Sequence, residues 1–93
     1  MKFILTFTWA SDIHTRDQAV ERFKQSGGQP PAGVVLLGRW TRADLSGGHV
    51  LLEAQNLRML TEFAYMWSDL MKLEIAPVIE DDDLRAVFDR VAK

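Results

Sequence analysis

Apolar and polar residues alternate from the second residue onward, with Phe3, Leu5, Phe7 and Trp9 on one side of an extended segment and Ile4, Thr6 and Thr8 on the other. A period of two marks a β-strand, whose successive side chains point to opposite faces of a sheet. Residues 2–9 are therefore expected to form the first strand. The period then changes. Ala19, Val20 and Phe23 recur at helical spacing within residues 17–25, which predicts a short amphipathic helix. Thr15 is placed to cap it by accepting from an otherwise orphan backbone amide. Glycine and proline from Gly27 to Gly33 then break the pattern. Two β-rich runs follow, at residues 34–41 and 49–53, on either side of Ser46-Gly47-Gly48. This arrangement predicts a hairpin closed at the two glycines.

Residues 56–69 form the longest helical pattern. Met66, Met59, Leu70, Phe63, Trp67, Leu60, Ala64 and Leu57 fill a continuous half of its wheel, wider than the ~100° stripe of an ordinary surface helix. Such a helix is expected to touch more than one surface. A fourth strand is expected over residues 72–79, where Leu73 and Ile75 alternate with Lys72 and Glu74. Pro77 cannot donate to a ladder, which places it at a sheet edge or a bulge. Residues 83–91 carry Leu84, Val87, Phe88 and Val91 at i, i+3, i+4 and i+7. They predict a C-terminal helix, and the preceding aspartates suit its positive dipole end.

Strand–helix–strand twice over predicts an α+β, ferredoxin-like βαββαβ fold with an extra C-terminal helix and a four-stranded antiparallel sheet. With no repeat and no low-complexity linker, residues 1–93 are expected to be a single domain. Two helices cover only one face of such a sheet. On the other, Ile4, Leu51, Ala76 and Val78 are expected, joined by Val34, Leu36 and Trp40 or by Val35 and Leu37. So large an apolar patch is unusual on a monomer. Hiding four such side chains contributes ~6–12 kcal/mol as an upper bound. The expectation is a homodimer joined through the sheet face. The competing expectation is that the C-terminal helix folds over this face of its own protomer.

Composition narrows the chemistry. The 93 residues include no cysteine and two histidines and carry a net charge of −2. A disulfide scaffold, a thiol nucleophile and thiolate metal sites are excluded. The charge argues against a phosphate-neutralising surface, and the third strand offers no stacking rings, so no nucleic acid partner is expected. The N-terminal apolar run breaks at Thr6 and Thr8 without a cleavage site, unlike a signal peptide. No run approaches the ~18 apolar residues of a membrane span. A cytoplasmic protein without a membrane partner is the expectation.

Several phrases carry a family likeness when read in order. They are Arg22-Phe23, Pro31-Ala32-Gly33-Val34, Gly38-Arg39-Trp40, Leu52-Glu53, Trp67-Ser68-Asp69-Leu70 and Pro77-Val78-Ile79. Over residues 3–80 the chain resembles a bacterial domain-of-unknown-function family of the dimeric α+β barrel superfamily. The resemblance implies a ferredoxin-like protomer whose sheet pairs with a copy of itself, and it implies no activity. The wider superfamily includes cofactor-independent monooxygenases, lactone isomerases, haem-degrading enzymes and ligand-sensing domains. Its haem-degrading members use an Asn, a Trp and a His. Here Trp67 is present, but the first strand has no Asn and no His follows Trp67. Haem is not carried over, and no cofactor is expected.

Ser11, Asp12 and His14 lie together in one loop, whereas a nucleophilic triad needs side chains converging from separate segments. His14 alone suits a general base, since an unperturbed imidazole titrates near ~6.5. His49, Glu53 and His14 lack a metal-binding spacing, so no metal is expected. Trp9, Trp40 and Trp67, with Tyr65, fill a core or line an apolar pocket. Arg39 and Arg42 can offer paired donors to a carboxylate or enolate, or pair with Glu53 or Asp44. The functional expectation is a small-molecule binding or sensing module whose apolar or aromatic ligand meets Trp9, Arg39, Trp40 and Trp67. The alternative is a cofactor-independent monooxygenase- or isomerase-like enzyme on an aromatic or polyketide-like substrate. In it, His14 would move protons and Arg39 would orient an oxyanion.

Overall fold

The chain runs β1 (Lys2–Trp9), α1 (Ile13–Ser26), β2 (Val34–Thr41), β3 (Gly47–Ala54), α2 (Leu57–Trp67), β4 (Met71–Val78) and α3 (Asp81–Val91). This is a computed structural model that describes residues 1–92. The strands form one antiparallel sheet in the order β2-β3-β1-β4. The fold is thus the ferredoxin-like βαββαβ with a helix appended.

Strand register sorts the side chains into two layers. Phe3 lies between Leu52 and Pro77, Leu5 between Val50 and Ile75, and Phe7 between Gly48 and Leu73. This layer packs with Leu60, Phe63 and Trp67 of α2 to form the core, and α1 adds the buried Ala19. The opposite layer carries Ile4, Leu51, Ala76 and Val78, interspersed with Lys2, Thr6, His49, Glu53 and Glu74. Pro77 sits on β4, an edge strand, where a missing N–H costs the ladder nothing.

A bulge in β2 resolves which apolar set that strand presents. Leu36 pairs with Leu52 but Gly38 pairs with Leu51, so Leu37 is an extra residue. A bulge reverses the alternation beyond it. Val34 and Leu36 therefore face the helices, and so does Arg39 opposite Val50, while Trp40 opposite His49 joins Val35 on the open face.

Several element boundaries differ from the sequence expectation, β4 starting at Met71 and α3 at Asp81 among them. Helix α1 begins at Ile13, capped by Asp12 rather than Thr15. The Asp12 carboxylate accepts from the Thr15 hydroxyl at 2.7 Å and the Thr15 amide at 2.8 Å, and these bonds hold its pKa below the ordinary value. Helix α2 stops at Trp67, two residues early. Gly47 and Gly48 do not form the hairpin turn; they pair with Thr8 and Phe7 inside the sheet. The turn precedes them, closed by Arg42 N–H donating to the Gly47 carbonyl at 2.7 Å. Glycine is required at both positions by crowding: a Cβ on Gly47 would strike the Phe7 carbonyl, and one on Gly48 would strike the Trp40 carbonyl.

Helix α3 does not fold over the open sheet face. None of its residues is buried, and Phe88 and Val91 are 56% and 71% exposed. The body is accordingly long, 56 Å on its principal axis, with a radius of gyration of 15.6 Å against the ~12 Å of a compact chain this size. Glu80, which starts α3, pairs with Lys2 at the adjacent end of β1. Among the described residues, no helix is long and apolar enough to cross a membrane.

Candidate ligand site

Between the sheet and α2 lies an apolar cavity of about 60 Å³. Its floor is Leu5 and Phe7 of β1, Val50 of β3, and Met71 and Leu73 of β4; Phe63 and Trp67 of α2 form its roof. Arg39 and Gly28 close one side.

The bulge at Leu37 turns Arg39 to this face, and the guanidinium reaches the loop after α1. There Nη1 donates to the Gly28 carbonyl and Nη2 to the Gly27 carbonyl, both at 3.0 Å. The same guanidinium stacks 4.6 Å from the Phe23 ring centroid, a cation–π contact. Gly27 ends α1 in the left-handed conformation, at φ 71°, as helix C-termini commonly do. Gly28 repeats that conformation at φ 64°, and a Cβ on it would lie 2.6 Å from Arg39 Nη1 and 2.9 Å from the Phe23 ring. The second glycine is thus needed for the Arg39 cover rather than for the cap.

A second arginine holds the roof. Arg22 of α1 grips Asp69 through two parallel bonds of 2.9 and 2.8 Å and donates to the Met66 carbonyl at 2.7 Å. Its guanidinium lies 5.5 Å from the Trp67 ring. Hydrogen bonding from Arg22 holds the Asp69 carboxyl below its ordinary pKa. Trp67 is therefore fixed between the cavity and a charged clamp.

The residues expected at a site divide as follows. Arg39 and Trp67 both line the cavity. Trp9 lies just beyond it, paired with Met71 in the ladder and 6.3 Å from the Phe7 ring. Its indole N–H is buried without an acceptor, the one side-chain polar atom so placed among the described residues. Trp40 lies on the opposite face of the sheet, 59% exposed. His14 stands exposed on the first turn of α1, its Nε2 3.1 Å from the Gln18 side chain, and does not line the cavity. Asp12 is occupied by its cap, and His49 Nδ1 lies 3.2 Å from Thr6 Oγ1 on the open face. Arg42 pairs with Asp44 in the hairpin turn at 3.4 Å. There Ser46, through its hydroxyl and amide, and then Arg42 hold the Asp44 carboxyl down at about 2. Among the described residues, no group of His, Asp and Glu is gathered as a metal site would require.

Sequence reasoning missed Phe23, Gly28, Phe63 and Met71. The available signal was the doubled glycine after α1, where one suffices for a helix end. Chemically, the cavity offers apolar walls and one guanidinium. It has no carboxylate, imidazole or hydroxyl on its lining, so it can hold and orient a molecule but has no side chain to carry a proton.

A family model described as a domain of unknown function, DUF3303, matches residues 1–92. No curated protein matches the sequence.

Proposed function

The chain belongs to DUF3303, a family of unknown function, and from that premise we propose that it is a homodimeric small-molecule binding module. A second copy covers the open sheet face, and the cavity beneath Arg39 takes a small apolar or aromatic ligand. The observation that carries this reading is the cavity itself, apolar except for Arg39. Small-molecule sites have this form: apolar walls with a few placed polar groups. Its volume of about 60 Å³ is below the ~150 Å³ that accommodates benzene in an apolar cavity. An aromatic ligand therefore enters with outward movement of the Arg39–Phe23 cover. The displaced guanidinium, released from the Gly27 and Gly28 carbonyls, then meets a ligand carboxylate or enolate through paired donors. The sheet-face part of the reading rests on Ile4, Leu51, Val35 and Trp40, which nothing in the protomer covers fully.

Native mass spectrometry of the intact chain with benzoate, alongside thermal melting, tests both parts. The expected result is a dimer mass, with benzoate raising the wild-type melting point but not that of Leu73→Phe, whose ring grows into the cavity. A monomer at high micromolar concentration refutes the dimer. Equal benzoate protection of Leu73→Phe, or none in the wild type, refutes the cavity as the site.

A further inference from the structure

We propose that α3 crosses to a second copy of the chain and packs its apolar stripe on that copy's β2 strand; the inference rests on the homodimer reading. Within its own protomer α3 has no buried residue, although Leu84, Val87, Phe88 and Val91 form one continuous apolar edge. An isolated helix shorter than ~12–15 residues is marginal in water, and α3 has 11. Glu80 begins it without a side-chain cap bond. Its stability must come from packing that its own chain does not supply.

The receiving surface follows from the sheet order. Val35, Leu37 and Trp40 are exposed on β2, the edge opposite β4, from which α3 springs. Three strand spacings, ~14 Å, separate the two edges. A two-fold axis running along the strands between two stacked sheets lays the β4 edge of one copy over the β2 edge of the other. Each α3 then starts beside the surface its own chain cannot cover.

The areas agree. Four strands of eight residues present a face of ~500 Å², short of the ~800 Å² per partner of a standard interface. A helix of this length adds a footprint of ~160 Å². The receiving strand already belongs to the sheet face, so each copy reaches ~660 Å² and the pair ~1,300 Å², inside the ~1,200–2,000 Å² of a stable interface, which the sheet faces alone, ~1,000 Å² together, do not reach. Charge separates this reading from membrane binding. Asp81, Asp82, Asp83 and Asp89 outnumber Arg85 and Arg90 along α3, whereas interfacial membrane helices are rich in Lys and Arg.

The test is sedimentation equilibrium and far-ultraviolet circular dichroism on the full chain, comparing wild type, Phe88→Asp, Trp40→Asp and the double variant. Neither residue belongs to the protomer core, so the dispersed amide proton NMR spectrum of a folded chain is expected of all four. The wild type is expected to be dimeric and to lose helix signal as dilution dissociates it. Each single variant is expected to weaken dimerisation at least ten-fold, and the double variant by no more than the worse single. A dimer unaffected by Phe88→Asp, or losses that multiply in the double variant, overturns the crossing and leaves the homodimer reading standing. A wild-type monomer overturns both. Flotation of a monomeric wild type with phosphatidylcholine vesicles, abolished by Phe88→Asp, assigns the stripe to lipid and also overturns the proposal.

Discussion

Substituting Gly28 by alanine tests the Arg39 cover, and Gly27→Ala supplies its internal control. Both glycines hold the left-handed conformation, at φ 64° and 71°, which costs an L-residue ~1–2 kcal/mol. That cost, and the entropy alanine removes from the unfolded chain, are common to the two variants and cancel in their difference. Their surroundings are not alike. A Cβ on Gly27 meets only the flexible Gln29 side chain at 3.8 Å, whereas one on Gly28 meets Arg39 Nη1 at 2.6 Å and the Phe23 ring at 2.9 Å. Relief requires the guanidinium to leave the Gly27 and Gly28 carbonyls and its seat on Phe23. The two half-buried hydrogen bonds contribute ~0.5 kcal/mol each, the low end for bonds that water can replace, and the partly exposed cation–π contact ~0.5–1 kcal/mol. Gly28→Ala is thus expected to lose ~1–2 kcal/mol more than Gly27→Ala. With a urea slope near ~1 kcal/mol per molar for a small protein, the midpoints of the two variants should differ by ~1–2 M. Urea unfolding at one fixed protein concentration measures this, since association shifts apparent stability. Equal midpoints, within the ~0.5 kcal/mol of an ordinary surface change, would refute the claim that Arg39 is held against the loop.

Two further outcomes follow from the core and the clamp. Leu52 is 0% exposed at the centre of the sheet, so Leu52→Ala is expected to lose ~2–5 kcal/mol in urea unfolding, with an unchanged slope. Asp69 has a lowered carboxyl pKa from its bonds to Arg22. The stability this adds is fully present above the unfolded carboxylate value of ~3.9 and is lost as pH falls through the lower folded value. Because the pair is largely solvent-exposed, Asp69→Asn should cost under ~1 kcal/mol at neutral pH. Melting curves of the two proteins are expected to differ above the unfolded carboxylate value of ~3.9 and to converge as pH falls through the lower folded one; a gap that widens in acid would contradict the clamp.

Local pattern made most of the fold legible. The period of two placed β1 and β4, β-rich composition around a glycine break placed β2 and β3, and Pro77 pointed to an edge or a bulge because a missing N–H is tolerated there. The ends were less legible. Thr15 resembled a cap but belongs to the first turn of α1, with Asp12 three residues earlier supplying the oxygen. Gly47 and Gly48 read as a turn by composition, yet they lie in the sheet because Phe7 and Trp40 approach too closely for any Cβ. That approach belongs to strands distant in sequence, and no local signal reports it.

The candidate site shows the same division. Residue types alone selected Arg39, Trp67, Trp9, Trp40 and His14, but whether such residues converge depends on register. One extra residue at Leu37 sends Arg39 to the helix side beside Trp67 and turns Trp40 away. Alternation along the chain determined the strands, the apolar faces and the surplus of apolar surface, because these follow from the period of two or 3.6 residues that the backbone imposes. The bulge, the glycine-tight crossing of strands and the outward course of α3 were decided by the tertiary structure. Each depends on which strands lie across the sheet and which surfaces the chain leaves within reach, and neighbours in sequence do not encode it.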